Sequence, residues 1–491
     1  MTTTEVQAAH PDRVWRWLVV GAAFVGGVAV WALTGFSPLM AGLILFATLG
    51  AAGVALLVPT RPAAAVGIVF LLAVFERLEV ATVVGSMRFE QPAIVALVAA
   101  AVWHRDRLDL PSLRPIWPLL AAAAVYLGSL ALSSLIVAEQ PAVSMRVVLW
   151  SAVSMAGGLA AAWLLAGRVR GALPWLAGAG ALVAALGIAA ALSYVAFGNW
   201  SPVVAGAAGS PRVFLPAYEP NLYASLLALV VPIALEQFRH RPRARNLLVL
   251  ALPLLALGLG ITRAAYIGLA VGLVLFFIMH LRLAGLTPVL RRAAVVTAIC
   301  TLVGLALPAF VLNPQYSGLL KAATVAVANP GAPVEPTPTP LPGTEAKGEL
   351  DTLEYRMERV WLGLEEWRAS PIIGRGAYSY GQRHIDNNDV PEVIAVLPVL
   401  VLHDAGIVGS VGLAAFLVLL AWMLWRVSSD RLRGPPAIAL GAAVVVMLVG
   451  YLSTTALHFA VTWLVIGAAV AAGWPYRATG QETAMAPSES D

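Results

Sequence analysis

Arg356 and Arg359 stand three residues apart in a stretch, Asp351 to Ser370, that reads as an amphipathic helix. Neither has a carboxylate three or four residues away, so two like charges share a face and repel unless something neutralises them. A planar guanidinium fork matches phosphate oxygens, which makes an anion site one reading. A carboxylate supplied from elsewhere in the fold, or a solvated face, is the other. Arg375 lies in the turn Gly374-Arg-Gly376, where backbone N–H groups are free to approach a ligand. Arg263 interrupts the apolar run 247–278, either snorkelling to lipid phosphates or facing an anionic ligand in a cavity. Other chemistry is missing its parts. The seven histidines are scattered, no HExxH occurs, and Asp386 with Asp389 lacks a metal-binding context. No Walker A glycine-lysine loop is present, so an ATP-driven motor is disfavoured. No metal and no cofactor are expected.

The elements that must position these residues lie in a bilayer. Of 491 residues, 60% are apolar and 12% charged, against roughly 25% charged in a soluble domain. Apolar runs recur near the ~20 residues that cross a ~30 Å hydrocarbon core. Fourteen candidate helices follow, at 15–34, 38–58, 62–76, 91–103, 116–137, 143–166, 173–197, 218–238, 246–262, 264–281, 292–312, 400–426, 436–452 and 457–473. The fold class is all-α, a polytopic transmembrane bundle of about 12–14 helices. The first run lacks a small-residue cleavage pattern and reads as a retained signal anchor. Cys300 is the only cysteine and lies in an apolar run, which excludes internal disulfides and cysteine metal sites. The run 247–278 would make a helix of about 48 Å, too long for the bilayer, so a turn near Gly260-Ile-Thr-Arg263 is expected.

The net charge of +5 does not indicate a nucleic-acid partner, because the basic residues fall between apolar runs, where orientation signals sit. The hinges at Arg105 to Arg114, Arg168 to Arg170, Arg239 to Arg245, Arg282 to Arg292 and Arg426 to Arg433 all fall on one side when fourteen spans are counted. The positive-inside rule makes that side cytoplasmic, together with both termini, in an inner-membrane protein. The division expected is 1–312 N-terminal transmembrane helices, 313–399 an external loop, 400–475 C-terminal helices and 476–491 a cytoplasmic tail. The loop opens with a Pro-rich spacer, Pro330 to Pro342, followed by the amphipathic helix. Asp351 with Glu354 forms a capping-box pattern, Pro371 ends the helix, and Leu353, Met357, Val360 or Trp361, Leu364 and Trp367 mark its apolar face.

Four stretches in order resemble the O-antigen ligase and Wzy-type polymerase superfamily of bacterial membrane glycosyltransferases. They are Tyr-Glu-Pro-Asn221, Leu-Gly-Ile-Thr262-Arg263-Ala-Ala, Tyr355-Arg356 through Trp361 to Pro371-Ile-Ile-Gly374-Arg-Gly376, and Asp404-Ala-Gly406-Ile-Val-Gly409. The resemblance implies transfer of a glycan from an undecaprenyl-diphosphate carrier to a glycan or lipid hydroxyl acceptor, outside the membrane, without nucleotide sugar or an obligatory metal. It implies that Arg263 and Arg356, or Arg359, hold the diphosphate, with Arg375 a further candidate, and that a loop histidine deprotonates the acceptor. Members often carry His-Asn about eleven residues before the glycine equivalent to Gly406; here Ala395 and Val396 stand there. The remaining candidate bases are His403, His384 and Asp404. A transporter or lipid-carrier flippase is the alternative, and a peptidoglycan polymerase of the shape and division type or a non-catalytic scaffold are further ones.

Overall fold

The computed structural model describes residues 38–75, 79–82, 85–197, 204–207, 210–213, 220–260, 262–285, 287–311, 347–385, 392–452, 454 and 457–475. The expected first span, the Pro-rich spacer, Asp386 with Asp389 and the tail lie outside the described residues. The helices in chain order are α1 (Pro38–Leu57), α2 (Pro62–Ala73), α3 (Glu90–Trp103), α4 (Trp117–Ile136), α5 (Pro141–Leu165), α6 (Val169–Phe197), α7 (Pro220–His240), α8 (Ala244–Leu257), α9 (Arg263–Ala284), α10 (Pro288–Val311), α11 (Lys347–Trp367), α12 (Ser379–Arg383), α13 (Leu397–Ser428), α14 (Gly434–Gly450) and α15 (Ala460–Gly473). Among the described residues, seven helices are long and apolar enough to cross a membrane, and six shorter apolar ones join them. The protein is an all-α polytopic bundle. Two small antiparallel hairpins, Glu79–Thr82 with Gly85–Arg88 and Val204–Ala207 with Ser210–Val213, were not anticipated from the sequence.

Burial sorts the helices. α7, α14 and α15 are buried almost throughout, with α15 packed along α5, α14 along α7, α9 along α14 and α13 along α4. The peripheral helices expose large apolar side chains instead, among them Ile267 and Val274 on α9, Leu302 on α10, and Val411 and Val418 on α13. In water such a surface would be a liability; against acyl chains it is what a membrane protein presents.

The basic hinges share one end of the bundle. Arg168 donates to the Leu108 carbonyl at 2.8 Å, and Arg170 to that of Leu432. The Arg282 guanidinium lies over the Trp425 ring and Arg426 over Trp422. The segment 138–144, α12 and the break in α13 described below are together at the opposite end, where Gln382 bonds Ser144 and the Gln140 backbone.

Between α8 and α9 the chain turns as its excess length requires. α8 ends at Leu257, a 3-10 turn covers Gly258–Gly260, and α9 starts at Arg263. The Thr262 hydroxyl lies 3.1 Å from Asn221 Oδ1 and 3.0 Å from the Gly260 carbonyl, tying this turn to the start of α7. At the other end of the same two helices, buried Glu236 accepts both Arg239 contacts (2.7 and 2.8 Å) and lies 3.2 Å from His280 Nε2. Charges at this depth persist because they are paired.

α11 begins one turn earlier than the capping-box pattern suggests, at Lys347, since Lys347, Glu349 and Leu350 are themselves good helix formers. Its packing face also differs from the apolar face read from the sequence. Gly363 meets Ile394, with Arg356, Arg359 and Glu366 around it only partly exposed, whereas Met357 and Trp361 stay exposed.

Candidate functional site

A break in α13 gathers the site. Gly406 has φ 64°, ψ −167°, a conformation that a Cβ would strain, and that Cβ would also lie 2.4 Å from the Ile372 carbonyl oxygen. Gly374, at φ 87°, faces it: a Cβ there would meet the Asp404 carbonyl and Gly406 N at 2.5 Å. The backbones of Pro371-Ile-Ile-Gly374-Arg-Gly376 and Asp404-Ala-Gly406 are thus in direct contact. A broken helix frees polar backbone groups that lipid cannot satisfy, and here five of them find partners outside the helix. The carbonyl of His403 accepts from Arg375 N at 2.7 Å. That of Asp404 accepts from Gly376 N at 3.0 Å and Ser133 Oγ at 2.7 Å. Ser129 Oγ donates to Ala405 O at 2.7 Å. Past the break, the N–H groups of Ile407 and Val408 donate to the carbonyls of Pro371 and Ile372.

The break presents His403 and Asp404 to α11 and α12. His403 is fully buried, with Nδ1 2.7 Å from Asp404 Oδ1 and Nε2 3.0 Å from Glu366 Oε2. The other carboxylate oxygen of Glu366 lies 2.7 Å from His384 Nε2 and accepts from Arg383 Nε at 3.2 Å; Arg383 Nη2 pairs with Oε2 and Nη1 with Glu139. Glu366 therefore has both oxygens doubly engaged, about the full capacity of a carboxylate. Burial opposes its charged form, but the hydrogen bonds from His403, Arg383 and His384 and the Arg383 charge prevail, holding its carboxyl well below the usual carboxylate range. Asp404 Oδ2 also accepts from Tyr378 N at 3.2 Å.

The two histidines differ in what remains open. Both ring nitrogens of His403 face carboxylates. His384 is partly exposed; its Nδ1 has no hydrogen-bond partner among the described residues, and its ring stacks on Tyr380 at 4.3 Å. Burial pushes the Tyr380 phenol up to about 12, with Arg359 nearby acting in the opposite sense.

The arginines separate as well. Arg359 is paired with Glu392, whose backbone N donates to the His384 carbonyl at 2.9 Å, so a tertiary carboxylate supplies the counter-ion that the local sequence lacks. Arg356, on the same side of α11, has no ion pair among the described residues. Arg375 has its Nε buried without a hydrogen-bond partner among them. Arg263 is exposed at the start of α9, whose main neighbours are α14, α7 and, through the turn, Asn221.

Residues 248–398 match the O-antigen ligase family. The match covers under a third of the chain. With the apolar helices it supports a multi-pass membrane protein with a glycan-ligating or glycan-polymerising function in general terms. No curated protein matches the chain. The matched segment encloses Arg263, Arg356, Arg359, Glu366, Arg375, Arg383 and His384, and stops short of His403 and Asp404. Glu366 and Arg383 were not singled out from the sequence. Glu366 lies seven residues after Arg359, two turns along the same face, a spacing that a search at three and four residues passes over. Its neighbour Glu365, three residues before Arg368, is exposed instead.

Proposed function

We propose that this protein transfers a glycan from an undecaprenyl-diphosphate-linked donor to a hydroxyl acceptor, as a polymerase or ligase, at the outer face of the inner membrane. The observation that carries the reading is the oriented pair Glu366–His384 inside the matched segment, with one imidazole nitrogen bonded to the carboxylate and the other without a partner among the described residues. A base held by a carboxylate is the geometry that acceptor activation needs. The acceptor hydroxyl loses its proton to His384 Nδ1 as its oxygen bonds the anomeric carbon. The bond from that carbon to the diphosphate breaks, and the lipid diphosphate leaves with the electron pair. Glu366 stabilises the imidazolium that forms. His403 and Asp404 hold Glu366 from behind.

Arg356 and Arg375 are the guanidinium groups available to the leaving diphosphate, with Arg263 contributed from α9 across an outward-facing cavity. Arg359, already paired with Glu392, positions Tyr380 and the loop around it. Fixed cations stabilise the charge that grows on a departing diphosphate.

The test is transfer from a lipid-diphosphate donor in proteoliposomes. Arg356→Ala and Arg263→Ala are expected to lower the rate by about 10²–10³-fold, by analogy with loss of an oxyanion-hole donor. His384→Ala is expected to lower it by about 10²–10⁴-fold, the usual range for a general base. Chelator should leave transfer intact. Wild-type transfer in all three variants would refute the assignment and favour a transporter or flippase.

A further inference from the structure

α11 has three faces, and among the described residues only one of them meets protein. Gly363 packs on Ile394, with Arg356, Arg359 and Glu366 on that side. Glu354, Glu358 and Glu365 form an exposed acidic stripe. Met357, Trp361, Leu364 and Arg368 follow one another at helical spacing on the remaining side, with Met357 45% and Trp361 64% exposed. An apolar stripe beside a charged one, on a helix whose third face is docked, is the amphipathic arrangement of an element lying in a bilayer interface, here with carboxylates in place of the usual basic residues on its polar face.

The depth of the helix follows from α13. Past its break at Gly406, that helix continues from Ile407 to Ser428, 22 residues or about 33 Å at ~1.5 Å per residue, close to a ~30 Å hydrocarbon core. Exposed Trp422 and Trp425, each capped by an arginine, mark its interface at the basic end. About 20 residues before Trp425, the span of a bilayer core, lies the break at Gly406. The far edge of the hydrocarbon therefore falls at Ile407 and Val408, both exposed on α13. Ile372, 64% exposed, is fixed there by the bond from Val408 N to its carbonyl. Trp367, the last residue of α11, donates to the Pro371 carbonyl at 3.1 Å. The lipid-facing surface of α13 thus runs through Ile372 to the end of α11.

We infer that α11 is an interfacial helix, with Met357, Trp361 and Leu364 seated in the lipid leaflet at the site end and Arg368 reaching its headgroups. The occupant of the open apolar stripe is the bilayer. Such seating places Arg356, Glu366 and His384 at headgroup level, the plane in which a lipid-borne diphosphate travels. It does not require that transfer occur.

The test uses the full chain with Cys300 replaced by Ser, carrying single cysteines at 357, 361, 358 or 365, spin-labelled and reconstituted in phosphatidylglycerol-containing vesicles. Collisions with oxygen report lipid and collisions with a nickel chelate report water. Labels at 357 and 361 should favour oxygen, as a reference label at 418 on α13 does, and labels at 358 and 365 should favour nickel. Melting temperatures matched to the cysteine-free parent show that each labelled protein is folded. If 357 and 361 are as open to nickel as 358, the helix stands off the membrane and the inference fails. If they are open to nickel and become protected only when glycan is added, the stripe is a saccharide platform and the lipid seating is equally overturned. Because no turnover is read, a loss of the transfer reading leaves this result untouched.

Discussion

Glu366 is the residue on which the candidate site turns, because it bonds His384, His403 and Arg383 together. Replacing it with Gln keeps the size of the side chain but removes the charge those donors share, a change of about 1–3 kcal/mol for part-buried partners left mismatched. As a positioning residue, Glu366→Gln should lower kcat, leave the KM for donor nearly unchanged and move the acid limb of the kcat profile, since an imidazolium without its carboxylate loses its proton more easily. A purely structural role would leave the pH profile where it is. The same residue sets a pH dependence of stability. Its folded carboxyl titrates below the ordinary value of 4.5, so the stabilisation it provides is complete above that value and is lost as pH falls through the lower folded one. Below the range in which the neighbouring imidazoles titrate, the difference in melting temperature between wild type and Glu366→Gln is therefore expected to close as the pH falls further through the range of the folded carboxyl. A difference that keeps growing in that acidic range would contradict the assignment.

Helix α13 and the turn 371–376 form a single device. The helix must break for His403 and Asp404 to leave the membrane-spanning direction, and the turn and the serines of α4 must receive the groups that the break sets free. Gly406→Ala places a methyl against the Ile372 carbonyl at a backbone angle that L-residues avoid. The expected loss is about 2–4 kcal/mol from the left-handed conformation and the overpacking together. Ser133→Ala should be milder, about 1 kcal/mol, because the Asp404 carbonyl keeps its bond from Gly376. Thermal unfolding in detergent, with both variants beside wild type, measures the order. Equal stability of Gly406→Ala and wild type would mean that the break is not built into the backbone. The paired ties between α7 and α9, Asn221 with Thr262 at one end and Glu236 with His280 at the other, do the same for Arg263 by fixing the helix on which it stands.

Over the whole molecule, charge and cluster lie at opposite ends. The basic hinges meet at one, through Arg168 on Leu108, Arg170 on Leu432 and the two arginine–tryptophan stacks. By the positive-inside rule that end is proposed to be cytoplasmic, which would put the cluster on the outer side, as the proposed transfer requires. Cysteine labelling with an impermeant reagent, in a chain whose Cys300 is replaced, checks the orientation. Thr344→Cys is expected to react in intact cells, and reaction only after the cells are broken would invert the topology and remove the external reading of the site.

The sequence by itself determined the membrane class, the broken span at Gly260–Thr262, and the four stretches that mark the ligase resemblance, because hydropathy, span length and backbone-demanding glycines are local properties. It also singled out His384, His403 and Asp404, which the fold brings together around Glu366. What it could not decide was how their charges are shared. Arg359 looked unpaired within its own helix and is paired by Glu392, 33 residues on. Glu366 looked like one more surface glutamate and faces inward. The sequence put His403 first among the candidate bases, but the fold encloses its ring between two carboxylates and leaves His384 with a nitrogen that has no partner among the described residues. Ion pairing and burial depend on which segments meet, and that meeting is set by the break in α13 and by the turn against which it packs.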